Sequence, residues 1–176
     1  SYEALGLFRD DHPDCDCQVD LYLGHLGRFA MAQQFEEGAP IRSQQLDNFD
    51  AIIDCRASQH VAWSQHGTVY REYCDLLKPG GWLFLLHLDA ETDDAALPQN
   101  RDLKVRDDVW TWANIVAGSY PDNGLVCMPP IKALAEALSD SGFEVVRQEH
   151  LRREIGEPIV GMCCSHAAFD VRKPAI

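Results

Sequence analysis

Apolar residues in this chain fall into short runs separated by charged and turn-forming stretches, and the spacing within each run predicts its conformation. Phe49 to Ile53 is a brief apolar stretch ending at Asp54, too short for a helix of its own. Val69, Tyr73 and Leu76 then fall on one helical face, with Arg71, Glu72 and Asp75 off it. Pro79 cannot continue that helix, and Gly80 and Gly81 supply the backbone freedom that a reversal needs. Trp82 to Leu86 is apolar at every position, the pattern of a strand buried on both faces of a helix-covered parallel sheet.

The flanks are read in the same way. Residues 2–11 have helical spacing in Tyr2, Leu5, Leu7 and Phe8, broken by the Asp11–Asp14 segment with its Pro13. Gln18 to Leu23 alternates and predicts a strand ending at Gly24. Residues 29–37 predict a short helix on Phe29, Met31, Ala32 and Phe35, and residues 38–48 a loop. The acidic stretch from Asp89 to Arg101 is loop, and residues 105–117, with Val109, Trp110, Trp112 and Ile115, predict another helix. Ile131, Leu134, Ala135 and Leu138 make a clean amphipathic helix that stops at Gly142. Phe143 to Val146 and Gly161 to Val171 predict the last two strands.

This alternation of helix and strand argues for an α/β fold with a mostly parallel sheet and helices on both faces. The last two strands have no long helix between them, which fits a carboxyl-terminal antiparallel hairpin at one edge of the sheet. A length of 176 residues suits a single domain spanning residues 1–176.

Charge narrows the partners. With 28 acidic against 15 basic side chains the net charge is −13, which repels phosphate backbones and anionic membranes. Arg147, Arg152 and Arg153 are interleaved with Glu149, Glu154 and Glu157, a solvated face rather than a basic patch. The expectation is a small-molecule substrate, with neither nucleic acid nor membrane as partner; the oligomeric state is not legible. The seven cysteines are odd in number and irregular in spacing. Nothing resembles a secretory signal or a membrane span, so reduced thiols and a cytoplasmic location are expected. Cys15 with Cys17, and Cys163 with Cys164, lack the two-residue spacer of common zinc knuckles, and no metal site is expected.

The block from Phe49 to His87 resembles the second half of the class I, S-adenosylmethionine-dependent methyltransferase domain. That family typically has a Phe-Asp-apolar-apolar-apolar strand, a helix, and Leu-Leu-Lys-Pro-Gly-Gly leading into the next strand, as Leu76 to Gly81 does here. Residues 141–146 and 168–174 look like its sixth and seventh strands. The resemblance implies a Rossmann-like sheet, S-adenosylmethionine as cofactor, and methyl transfer to a small acceptor.

The glycine-rich strand–turn–helix that opens such a domain is not found before residue 49, where Gly24 and Gly27 follow the wrong strand. If Gln18–Leu23 is the third strand, the chain lacks the family's amino-terminal strands. Three readings stay open: a truncated domain, a catalytically inactive relative serving as a binding or regulatory partner, or strands supplied by another chain.

Ligands of open α/β sheets bind beyond the carboxyl ends of the strands. By resemblance, Gly24, His25 and Leu26 flank the donor's adenine, with His25 where the family often has Asp. Asp54 and Cys55 complete the donor contacts. Asp54, Arg56 and His60 would lie beside the reactive methyl. Asp54 and His60 are the candidate bases and Arg56 the anchor for an anionic substrate; Asp54 could equally cap the loop that follows it. Asp54-Cys55-Arg56-Ala57 also resembles the Asp-Arg-Gly-Ala of the thiopurine and thiol methyltransferases, which implies a sulfur acceptor. Asp89, Glu91, Asp93 and Asp94 could hold Mg²⁺ or form a solvated loop. The aromatics of residues 105–128 could wall a flat substrate or pack a core.

Overall fold

The computed structural model describes residues 21–23, 33–35, 42–43, 49–92, 98–114, 124–154 and 163–175. The chain divides into two compact units, Ser1–Leu46 and Asp47–Ile176.

In the first unit, β1 (Leu21–Leu23), β2 (Gln33–Phe35) and β3 (Arg42–Ser43) form a three-stranded antiparallel sheet. Leu21 pairs with Phe35, and Gln33 with Ser43. Two expectations are corrected. Residues 29–37 contain a strand rather than a helix, and a second strand lies in the expected 38–48 loop. The Gln18–Leu23 strand does form in part, at Leu21–Leu23, but its neighbour is β2 rather than a strand of the parallel sheet. Apolar spacing over so short a segment fits either period, and the choice of partner is not written in the strand itself. The expected 2–11 helix lies outside the described residues.

The second unit carries the main sheet, order β4-β5-β9-β8. β4 (Phe49–Cys55) pairs in parallel with β5 (Leu77–Leu88). β8 (Glu144–Glu154) and β9 (Cys163–Arg172) form the expected antiparallel hairpin. The hairpin occupies one edge of the sheet, with β8 outermost and β9 antiparallel between β5 and β8. β4, β5 and β8 therefore share one direction and β9 opposes them.

α1 (Trp63–Leu76) connects β4 to β5, and α2 (Ile131–Asp140) lies between β5 and β8. Both crossovers step the same way across the sheet, so the right-handed rule puts both helices on one face. They accordingly pack on each other, with Ser141 Oγ, which donates to the Ala137 carbonyl at 2.7 Å, lying 3.4 Å from the Gly67 carbonyl. Both described helices of this unit therefore cover the same face of the sheet. It follows that β5 is covered on one side. Leu83, Leu85 and His87 are buried under the helices, whereas Trp82 and Leu86 are half-buried and Phe84 is exposed. Val69, Tyr73 and Leu76 of α1 and Leu134 and Leu138 of α2 fill the core, as their spacing predicts.

Two glycines are dictated by geometry. The Lys78–Gly81 turn bulges between the Phe49–Leu77 and Ala51–Trp82 pairs, where a Cβ on Gly81 would lie 2.9 Å from the Lys78 carbonyl. Gly142 ends α2 at φ +99°, a conformation that side-chain-bearing residues disfavour.

The predicted 105–117 helix is also corrected: β6 (Thr111–Ala113) and β7 (Leu125–Cys127) form an antiparallel ribbon. Trp112, Val126 and Met128 pack with Leu88 at the end of β5. The aromatic stripe of this region serves a two-stranded ribbon whose inward positions are apolar, and such a stripe can pass for a ragged helical face.

Candidate functional site

The carboxyl ends of β4 and β5 lie side by side, since the two strands are parallel and paired up to Cys55 and Leu86. The chain leaves β4 through Arg56, whose backbone N–H donates to the Leu86 carbonyl at 2.8 Å. Arg56 adopts φ +66°, the left-handed region that a side chain disfavours. That turn throws the chain back over the sheet end into a short 3-10 helix, Ser58–His60, and on to α1.

Asp54 holds the turn. Its Oδ1 accepts from the Ala57 N–H at 2.8 Å and the Ser58 N–H at 3.2 Å, and its Oδ2 accepts from the Tyr73 hydroxyl at 3.2 Å. The carboxylate is buried with both oxygens engaged. Burial, with Asp54 beside it, pushes the Tyr73 phenol far above its ordinary range, so Tyr73 remains a hydrogen-bond donor. The capping alternative for Asp54 is therefore what its geometry displays.

His60 is exposed, with Nδ1 3.0 Å from the Leu125 carbonyl and Nε2 3.2 Å from Gln59 Nε2. A carbonyl can only accept, so Nδ1 carries the proton, and Nε2 accepts from the Gln59 amide. His60 thus ties the turn after β4 to the β7 strand. Cys55 is exposed at the end of β4. Gly24, His25 and Leu26 lie outside the described residues.

A second cluster stands just past the end of β5, built from two strands and the loop after β5 and not foreseen from the sequence. Asp89 is buried; its Oδ1 accepts from the Glu91 N–H at 2.8 Å and its Oδ2 from Ser165 Oγ at 3.0 Å. His150 Nε2 lies 3.1 Å from Asp89 Oδ2 and 2.5 Å from Ser165 Oγ. Thr92 Oγ1 donates to the Ser165 carbonyl at 2.9 Å and accepts from the Ser165 N–H at 3.1 Å. The neighbouring His166 is held below its usual pKa by burial and by the Arg56 guanidinium, against the pull of Asp89. Arg56 and His166 are thereby brought into one electrostatic neighbourhood. Asp89 is committed to protein partners, and among the described residues no group of three or more His, Cys, Asp or Glu is placed to hold a metal ion. Asp93 and Asp94 lie outside the described residues.

The aromatic groups divide. Trp112 and Met128 are core. Trp110 is half-buried and meets Trp63, the first residue of α1, edge to face with centroids 4.8 Å apart. The Trp63 N–H donates to Thr111 Oγ1 at 2.9 Å, and the Ser64 N–H to Asp108 Oδ2 at 3.2 Å, so the β6–β7 ribbon caps the start of α1.

Solved structures share the fold. An S-adenosylmethionine-dependent methyltransferase from Methanosarcina mazei matches 76% of this chain and 64% of its own length, with a TM-score of 0.56 and 16% identity. One from Clostridium acetobutylicum matches 99% of this chain and 72% of its own length, with a TM-score of 0.58 and 8% identity. The fold is that of the class I S-adenosylmethionine-dependent methyltransferases. The chain spans under two thirds of the Methanosarcina protein's length. No protein-family model and no curated protein sequence matches the chain. In methyltransferase terms, β4 and β5 are the neighbouring parallel strands that the Phe49–His87 resemblance implies, and the β8–β9 hairpin is the implied closing pair.

Proposed function

We propose that this chain is part of an S-adenosylmethionine-dependent enzyme that transfers a methyl group to a small-molecule acceptor, with sulfur as the methylated atom. The observation that carries the reading is the strand order β4-β5-β9-β8, with one reversed strand inside the sheet and two helices on one face. Methyl transfer is an in-line displacement at a sulfonium carbon, so the protein's main task is to align acceptor and donor. The donor supplies the activated methyl when bound.

The groups at the end of β4 suit an acceptor that needs little base. Both Asp54 oxygens are taken by the turn and by Tyr73, and the two His60 nitrogens face Leu125 and Gln59. A thiol ionises near pH 8.5 and is a strong nucleophile once ionised. Arg56 offers a planar fork for an anionic group on the acceptor, and its left-handed backbone fits a position kept for function rather than stability. Cys55 borders the donor, and Asp54 positions Arg56 by holding the turn.

Calorimetry of the intact protein with S-adenosylhomocysteine should give one saturable site. Transfer of labelled methyl from S-adenosylmethionine should then favour aryl or alkyl thiols over phenols, and Arg56→Ala should raise KM for anionic thiols roughly tenfold or more, the loss of about one charge-assisted hydrogen bond. An absence of heat would point to the inactive, binding-partner reading. Binding with preference for phenols would overturn the sulfur assignment alone.

A further inference from the structure

Two buried histidines belong to neither cluster described above. His66 sits in the first turns of α1 and His87 near the end of β5; both have no exposed surface. Their Nε2 atoms face each other at 3.0 Å. The remaining ring nitrogens face backbone carbonyls: His66 Nδ1 lies 3.1 Å from Ala62 O, and His87 Nδ1 lies 2.6 Å from Leu88 O.

Counting protons shows the conflict. Each carbonyl contact needs an N–H, and the contact between rings needs a third. Two neutral imidazoles carry two protons. The shorter contact, at Leu88, keeps its proton on His87 Nδ1. His87 Nε2 is then a lone pair and accepts from His66 Nε2–H. His66 Nδ1 is left facing the Ala62 carbonyl, lone pair to lone pair.

We propose that His66 and His87 are a proton-sharing pair in opposite tautomers, and that His66 Nδ1 is the site of acid-driven proton uptake, joining Ala62 at the start of α1 to Leu88 at the end of β5. Uptake there completes all three hydrogen bonds and makes the Ala62 contact charge-assisted. The pair thus connects Ala62, which follows the turn after β4, to Leu88, the residue before Asp89.

The surrounding charges select His66 over His87. Burial opposes a cation at His66 most strongly, while the Ala62 carbonyl, Asp54 on β4 and Asp108 before β6 favour one; Trp63 and Tyr70 pack against the ring. His87 is pushed down to about 3 by burial first, then by His66, His166 on β9 and His60, with the Leu88 carbonyl pulling the other way. Both rings lie below the ordinary histidine value, so the folded protein binds fewer protons than the unfolded chain as pH falls below about 6.5. Stability contributed by the pair is present above that pH and is lost as pH falls through the histidine range.

The test is histidine ring 15N spectroscopy of the intact protein from pH 8 to pH 4. The expected result at pH 8 is His87 as the Nδ1–H tautomer and His66 as the Nε2–H tautomer. On acidification His66 becomes an imidazolium before His87, in the folded state. Identical tautomers at pH 8, protonation of His87 first, or a bound metal ion found by elemental analysis would each overturn the proposal. Separately, the unfolding equilibrium constant should rise as pH is lowered from 7 to 5, and His66→Gln should flatten that rise several-fold while the protein still unfolds cooperatively. A slope unchanged in His66→Gln would also overturn it.

Discussion

Asp54 is the residue on which the loop after β4 depends. Two backbone N–H groups and one phenol converge on its carboxylate, all at a buried position. Asp54→Ala removes the acceptor those donors share and should cost about 2–3 kcal/mol in urea denaturation, with Asp54→Asn recovering part of it. Arg56 presents the opposite case. Its φ of +66° is a conformation that glycine adopts freely, so Arg56→Gly should hold or raise the denaturation midpoint while acceptor binding falls. Much of this was legible: an Asp closing an apolar strand is a natural cap, and Asp54 was readable as one. His66 and His87 carried a weaker signal. His66 shares a helical face with Val69, Tyr70 and Tyr73, and His87 interrupts an otherwise apolar strand, but nothing local says that the two rings meet. The Asp89, Ser165 and His150 cluster draws on two strands and the loop beyond β5, and its contact is a product of sheet order alone.

At the scale of elements, α1 keeps a glycine where none is required. A Cβ on Gly67 would meet nothing within 4 Å, and the position is inside the helix. Gly67→Ala should therefore stabilise the protein by about 0.5–1 kcal/mol, read as a rise in midpoint without change of slope. The two faces of the main sheet should answer differently to truncation. Leu83 is fully buried under the helices, and Leu83→Ala should cost about 2–5 kcal/mol. Ile53 is 77% exposed, so Ile53→Ala should change stability by no more than about 0.5 kcal/mol. The apolar run that contains Leu83 does not reveal this asymmetry, because Leu83 and Phe84 read alike. Only the placement of both helices on one face separates them.

Across the whole molecule, a charge of −13 sets the long-range field. Duplex DNA and RNA added at low salt should show no retardation with this protein, the condition under which any phosphate binding would be strongest. The candidate site follows the general rule for α/β sheets, at the carboxyl ends of parallel strands, and that placement could be expected once β4 and β5 were recognised. The strand Leu21–Leu23 could be expected as well, but not its antiparallel partner.

The sequence by itself determined the strand, helix and strand from Phe49 to Leu88, the helix that ends at Gly142 and the closing hairpin: the periodicity of Val69, Tyr73 and Leu76, the turn at Lys78–Gly81 and the stop at Gly142 are local effects of side-chain spacing and backbone freedom. Tertiary structure decided everything that depends on which segments meet. It set β9 between β5 and β8, gathered both helices on one face, converted residues 111–113 from expected helix to strand, and brought His66 to His87. These outcomes arise because hydrogen bonds between strands and contacts between buried rings join residues far apart in the chain, and no local pattern records the partner.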